Sequence, residues 1–333
     1  MTDIARRISI VIPYYNDREN IVRCLDSIKG AMARLPEHVV MPEVIVVDDH
    51  SPSPFDPGVS RLSVTWHRFS ENKGVGAARN KGASLCRGSH ILFVDSDVML
   101  DEQHLVRLYH ILGKKICPVI QGPTSVIPAN EKATLFQHYL ARAWNYYERN
   151  NWNISVFSQC FLVEKRFFME LGAFSERYAR SGGEEFELGL RLSCTRENTI
   201  CFDERLVHFH HFDHGVKRMK KVYFRSRHIR KIALGMPNLP FRFTAQALLR
   251  SAFAWSLNLC LLLCVISPVE GLAAWLGCAL LFHVSDSSMS RVMNDHSLKL
   301  SLLSVVFRQL EFTFITLGLL RGLVPWRKHD RTV

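Results

Sequence analysis

ILFVDSDVML, residues 91–100, decides how the N-terminal part of this chain is read: four apolar residues run straight into two aspartates separated by one serine. A continuous apolar run of that length, bounded by polar residues, is the pattern of a strand buried on both faces. On an extended chain Asp95 and Asp97 point to the same side. Two carboxylates that close repel unless a positive group stands between them. A hard divalent cation, magnesium or manganese, meets that need, with phosphate oxygens completing its shell.

Working outward, two more apolar runs end in the same way. Ile8–Ile12 leads into Pro13, Tyr14, Tyr15, Asn16 and Asp17, and Val44–Val47 leads into Asp48, Asp49, His50 and Ser51. Between them Ile21, Leu25, Ile28, Met32 and Leu35 recur at helical spacing. Strands alternating with helices predict an α/β fold with a mostly parallel central sheet, whose ligands bind at the carboxyl ends of the strands. Taken singly, each acidic exit reads equally well as a helix cap or a turn. Three on one edge read as a site. NKGVGAARNKGAS, residues 72–84, lies between the second and third runs and lacks both the GKS/GKT ending of a P-loop and the third glycine of a dinucleotide fingerprint. It presents Lys73, Arg79 and Asn80, groups suited to a diphosphate or a base edge.

Further along, the pattern predicts a helix over about 132–147, a strand near 155–163, a helix near 166–171 and another opening at Glu184 after Gly182 and Gly183. HFHHFDH, residues 208–214, is either a histidine-rich strand end or the source of a further cation ligand.

The chain has 333 residues, 47% of them hydrophobic, and a formal net charge of +11. The charge is concentrated: Lys217 to Lys231 holds eight Lys and Arg and no acidic residue. Met219, Val222, Tyr223, Ile229 and Ile232 recur among these cations, which predicts an amphipathic helix on anionic head groups. The near-uncharged stretch 251–284, with SPVEG at 267–271 as a turn, and the apolar stretch 302–326 follow. That neighbourhood favours a membrane over nucleic acid, and a buried soluble core is the competing reading. Two segments of roughly 16–18 residues are marginal in length for full spans and fit a tight helical hairpin. Three crossings would set the terminal RKHDR opposite the basic segment, against the positive-inside tendency. Nine cysteines without a CxxC pair predict no disulfide framework and a reducing compartment, and the N-terminus has no signal-peptide pattern.

Taken in order, SIVIPYYNDRENI, VIVVDDHS, NKGVGAARNKG, ILFVDSD and GGEEFELGLRL resemble the motif series of family 2 glycosyltransferases with the GT-A fold. The resemblance implies a GT-A catalytic domain over 1–215, with a nucleotide-sugar half at 1–100 and an acceptor half at 101–215; the charge and hydropathy pattern adds basic amphipathic interfacial helices at 216–250 and membrane helices at 251–333. The resemblance also implies that Pro13, Tyr14 and Asn16 line a nucleoside pocket and that Asp48 accepts from the base with Asp49 behind it. Asn72, Gly74 and Arg79 would pack around base and diphosphate. Asp95 would reach ribose or metal and Asp97 the metal, with His210 or His211 completing the shell. Where the family commonly has Glu-Asp this chain has Glu184 and Glu185, one of which would be the base. Lys220, Lys221, Arg225 and Arg227 would contact the membrane or a lipid phosphate.

The expected activity is inverting transfer from a nucleotide-diphosphate sugar, UDP-linked by family habit, to a hydroxyl of a lipid-linked or envelope glycan. It needs a divalent cation (Mn or Mg), with the enzyme membrane-attached and its catalytic domain cytoplasmic. A polyprenyl-phosphate acceptor and a catalytically silent membrane scaffold or glycan-binding subunit are the alternatives.

Overall fold

The structure, a computed structural model, describes residues 7–54, 58, 62–114, 117–151, 156–178, 183–195, 199–235, 241–285, 287–295 and 297–323. The chain divides into two units, Met1–Ala133 with Ala143–Phe212, and Thr134–Arg142 with Asp213–Val333.

In the first unit the apolar runs become strands because both faces of the sheet are covered. β1 (Ile8–Tyr14), β2 (Glu43–Asp48), β3 (Thr65–Arg68) and β4 (His90–Val94) run parallel. β7 (Cys160–Glu164) is antiparallel to β4 and to β6 (Val119–Gln121), and β8 (Ile200–Phe202) is parallel to β6. The order is β3-β2-β1-β4-β7-β6-β8, with β5 (Val98–Leu100) and β9 (His208–His210) forming a separate antiparallel ribbon. Side chains alternate between faces. Ile10, Ile12, Val46 and Leu92 pack with Ile21, Leu25 and Ile28 of α1 (Arg18–Met32). Val11, Ile45, Ile91 and Phe93 pack with Ala78 and Ala83 of α2 (Val75–Leu85) and with Leu188 and Leu192 of α6 (Glu184–Ser193). α2 lies so close to β1 that a Cβ on Gly82 would stand 2.3 Å from Val11 Cγ1. α3 (His104–Gly113) and α5 (Lys165–Glu170) complete this unit's cover.

Three expectations are corrected. β7 begins at Cys160 rather than near 155, because Phe157 N–H donates to Gln121 Oε1 (3.0 Å) and Cys160 N–H to Phe157 O (3.2 Å), which makes 157–160 a turn. The helix expected at 132–147 is α4 (Leu135–Asn151), started by Thr134 and Gln137, whose side chains each bond the other's backbone N–H at 3.3 and 2.9 Å. Cys117 and Cys201 are joined as a disulfide across 84 residues, a pairing that spacing in the sequence does not reveal.

In the second unit α7 (Gly215–Gly235) is followed by α8 (Phe241–Ile266), α9 (Pro268–Ser285), α10 (Ser287–Asn294) and α11 (Leu298–Leu323). α8 runs through residue 250 unbroken, so the expected boundary there is not a break in the chain's structure. Among the described residues the windows Leu249–Ile266 and Leu298–Gly322 are long and apolar enough to cross a membrane, and Pro268–Val284 is a shorter apolar helix.

Candidate active site

The strand exits meet at one edge of the sheet. Tyr14 is in register with Asp48, and Asp49 N–H donates to Tyr14 O at 2.9 Å. Asn16 N–H donates to Ser51 Oγ at 2.9 Å, tying the first exit to the second. Asn16 and His50 hold φ of 49° and 62°, in the left-handed region that costs non-glycine residues energy and clusters at functional sites. Pro13 and Tyr14 are buried within β1, with the Tyr14 ring 5.8 Å from Trp66, while Asn16 is exposed. Burial, then the Asp48 carboxylate, raises the Tyr14 pKa.

The two aspartates of the second exit have different tasks. Asp48 is fully buried; its Oδ1 accepts from Ser51 N–H at 2.8 Å, while Oδ2 accepts no hydrogen bond among the described residues and lies 3.4 Å from Arg68 Nε. Asp48 therefore retains acceptor capacity. Asp49 uses both oxygens on the next loop, accepting from Lys73 N–H (2.6 Å) and Gly74 N–H (2.7 Å), and Asn72 Nδ2 donates to its carbonyl at 3.1 Å. Burial raises the Asp49 pKa, and these two amide bonds oppose that. Gly74 adopts φ 91°, which suits glycine, and α2 starts from it. Asp49, Asn72 and Gly74 thus shape the loop that delivers Arg79.

At the third exit the chain turns instead of continuing extended. Val98 N–H closes the DSD turn onto Asp95 O at 3.0 Å, and Asp95 N–H donates to Gln159 O at 2.9 Å. The two carboxylates consequently find separate partners, correcting the expectation of a same-side pair on an extended chain. Arg79, 1% exposed, donates from Nη2 to Asp95 Oδ1 (2.6 Å) and from Nη1 to Glu184 Oε1 (3.0 Å), with its guanidinium 5.2 Å from the Phe174 ring. Burial raises the Asp95 pKa, Arg79 opposes this, and Asp97 adds to it. The positive group beside Asp95 is thus Arg79. Asp97 Oδ1 instead lies 3.5 Å from His210 Nε2, brought there by the pairing of Val98 with His210 in the β5–β9 ribbon. The His210 ring packs against Trp144 and Phe212, with centroids at 5.0 and 4.6 Å. His211 contributes its backbone N–H to Asp97 O (2.8 Å), while its Nε2 faces Asn130 Nδ2 at 3.2 Å. Of the two histidines, His210 is the one whose ring meets Asp97.

Glu184 and Glu185 open α6 and differ in access. Glu184 is 4% exposed and bound to Arg79; Glu185 is partly exposed, with Oε2 accepting from Gly183 N–H at 3.0 Å. Among the described residues no group of three or more His, Cys, Asp or Glu is spaced to hold a metal by itself. Asp97 and His210 form a two-ligand set, which suits a cation that also takes oxygens from a bound diphosphate.

Sequence reasoning missed a buried network beneath this edge. Glu148 accepts from Thr124 N–H (2.6 Å), Thr124 Oγ1 (2.9 Å) and Gln159 Nε2 (2.5 Å), and burial pushes its pKa up to about 8. Its members lie in three separate stretches of the chain, so no local pattern marks them. In the helical unit, Lys221 and Lys217 both pair with Asp213, the latter at 2.7 Å, while Lys220 and Arg225 are exposed. The Arg227 side chain lies outside the described ones.

Such an edge, on a mostly parallel sheet with an acidic turn and a second acid pair behind it, is that of an α/β domain of GT-A type. Residues 9–170 match the model of glycosyl transferase family 2. Among curated proteins, glycosyltransferase GlyA of Streptococcus pneumoniae serotype 4 is 27% identical over 177 residues, 52% of this chain and 24% of that protein. Human polypeptide N-acetylgalactosaminyltransferase 14 is 26% identical over 206 residues, 55% of this chain and 37% of that protein. The chain thus spans well under half the length of these relatives. The mannosyltransferase PcManGT of Pyrobaculum calidifontis, solved with GDP-Man and Mn2+, shares the fold at TM-score 0.58 and 15% identity, over 96% of this chain and 87% of that one.

Proposed function

We propose that the protein is an inverting glycosyltransferase, attached to a membrane with its catalytic unit on the cytoplasmic side. Its donor is a nucleotide-diphosphate sugar, UDP-linked ahead of other bases, and its acceptor a hydroxyl of a lipid-linked or envelope glycan. The observation that carries this reading is Arg79, a buried cation that ties the strand-exit acid Asp95 to Glu184 at the edge that also carries Asp97 and Glu185.

Asp97 and His210 would hold a divalent cation. Bound there, manganese or magnesium offsets the charge gathering on the departing diphosphate. Asp48 Oδ2 accepts from an N–H of the base. Glu185 takes the proton of the acceptor hydroxyl as its oxygen bonds to the anomeric carbon and the bond to the diphosphate oxygen breaks, with the electron pair leaving on the diphosphate. Glu184 is committed to Arg79 and keeps that guanidinium between the two acids. The exposed leucines of α8, α9 and α11 and the cations of α7 support membrane attachment.

The test is a screen of nucleotide sugars for Mn-dependent hydrolysis by detergent-purified protein. Asp97→Ala is expected to lower turnover on the order of 10³-fold; turnover and nucleotide binding indifferent to both Mn and this substitution would sink the reading. Transfer to a polyprenyl phosphate that survives Glu185→Gln would replace the hydroxyl acceptor with the phosphate one.

A further inference from the structure

Asp97 Oδ1 and His210 Nε2 stand 3.5 Å apart, yet they belong to elements distant in sequence, the turn after β4 and the strand β9. Ligands that share a cation tolerate an error of only about 0.5 Å in their placement. The β5–β9 ribbon has three residues in each strand, and a two-stranded ribbon is marginal by itself. Something further has to hold the turn and the strand against each other.

Both elements lead back to one buried carboxyl. Glu148, near the C-terminal end of α4, is 2% exposed. Its Oε1 accepts from Gln159 Nε2 (2.5 Å) and Thr124 Oγ1 (2.9 Å), and its Oε2 accepts from Thr124 N–H (2.6 Å). Through Gln159 it reaches the turn: the Gln159 carbonyl accepts from Asp95 N–H at 2.9 Å, and Val98 N–H closes the turn onto Asp95 O at 3.0 Å. Through Thr124 it reaches the strand. Thr124 Oγ1 lies 3.2 Å from Nε2 of the fully buried His208, the two residues are bridged backbone to backbone, and Ser125 N–H donates to His208 O at 2.7 Å. His208 stands two residues before His210 in β9, so their side chains leave the strand on the same side. Asn145, three residues before Glu148 on α4, donates from Nδ2 to Thr124 O at 2.6 Å. α4 therefore holds Thr124 by its N–H, its hydroxyl and its carbonyl.

Packing alone does not call for an acid here. Burying a carboxyl costs free energy that an apolar side chain of similar size does not, and burial pushes the Glu148 pKa up to about 8. What the carboxyl adds is direction. Hydrophobic contact is non-directional, whereas three hydrogen bonds onto one carboxyl fix the angles at which Gln159 and Thr124 arrive. A satisfied polar network stiffens the segments it joins.

We propose that Glu148 is a positioning residue for cation binding: by holding Gln159 and Thr124 it fixes the DSD turn and β9 against each other, and with them the separation of Asp97 and His210. It acts through those two residues and not on the cation itself. The inference rests on the reading of Asp97 and His210 as the cation pair.

The test is Mn2+ binding by the detergent-purified full chain in the presence of UDP or GDP. Bound Mn2+ is read from the electron paramagnetic resonance signal of the free ion, and the thermal unfolding midpoint of each variant is recorded beside it. Glu148→Met keeps the bulk and removes the acceptors. Thr124→Val keeps the shape and the backbone bonds and removes only the hydroxyl between Glu148 and His208. Both are expected to weaken Mn2+ binding about 10-fold, the low end of the range for groups behind a metal ligand. Glu148→Gln should recover most of that loss, because its amide oxygen still accepts from Thr124 N–H. Lower midpoints with wild-type Mn2+ affinity in the folded variants would make the network a matter of stability alone and overturn the inference. If Glu148→Met does not fold, Thr124→Val decides: weakened Mn2+ binding upholds the inference and wild-type binding overturns it. Mn2+ binding that survives Asp97→Ala in otherwise wild-type protein overturns the reading of the cation pair, and the inference with it.

Discussion

Arg79 and Arg218 each join elements far apart in sequence, and they differ in what surrounds them. The Arg79 side chain is 2% exposed and faces two carboxylates, Asp95 and Glu184. The Arg218 and Glu311 side chains are 18% and 13% exposed, and Glu311 has a second donor in Tyr139. The first arrangement balances one buried cation against two acids and so fixes where a reactive edge sits. The second keeps a little access to water, is shared with Tyr139, and holds one helix against another. A buried ion pair contributes little net stability against an apolar substitute but costs much when one partner is removed. A pair that keeps partial access to water, with a second donor on the acid, costs less to break than a fully buried one.

Glu185→Gln separates reaction from framework at its sharpest. It should lower kcat by about 10²–10⁴-fold with nucleotide binding and the unfolding midpoint unchanged, whereas Glu184→Gln should shift the midpoint as well. Loss of activity in Glu184→Gln alone would exchange their roles. Arg79→Met leaves Asp95 and Glu184 uncompensated and should cost about 3–5 kcal/mol in denaturant unfolding; a near-neutral result would mean that the clamp does not organise the edge.

His104 sharpens the contrast by pH. Burial lowers its pKa to about 4, with Nδ1 against Val207 O at 3.1 Å. The unfolded chain binds the proton near pH 6.5 and the folded one only near 4, so stability is lost as pH falls through that window, by about 3 kcal/mol in total. His104→Asn should flatten that dependence for the α/β unit and leave the helical unit's unfolding unaffected, as read by hydrogen exchange at pH 4.5 and 7. The smallest effect belongs to Arg218→Met, which should cost about 1 kcal/mol and leave nucleotide binding intact; a loss as large as that of Arg79→Met would erase the distinction.

Much of the edge was legible because it depends on short-range rules. A strand buried on both faces must be continuously apolar, and the polar residues that follow must lie at its end, so ISIVIP, VIVV and ILFV located three exits without any knowledge of pairing. The turn at Asp95–Asp97 was not legible, since it depends on the bond from Asp95 N–H to Gln159 O, sixty-odd residues away. Nor was the burial of Arg79, which the sequence assigned to base and diphosphate and the fold assigns to two carboxylates.

The amino-acid sequence by itself determined the alternation of strand and helix, the acidic edge, the clustering of positive charge over 217–231 and the two long apolar helices, because periodicity and local charge are properties of neighbours along the chain. Tertiary structure alone decided which acid is paired and which is accessible. Glu184 and Glu185 are adjacent in sequence and chemically alike, and only the approach of α2 to α6 buries one against Arg79. It also decided that His210 rather than His211 turns its ring to Asp97, through the β5–β9 pairing. That register is set by contacts more than a hundred residues apart, beyond the reach of any local pattern.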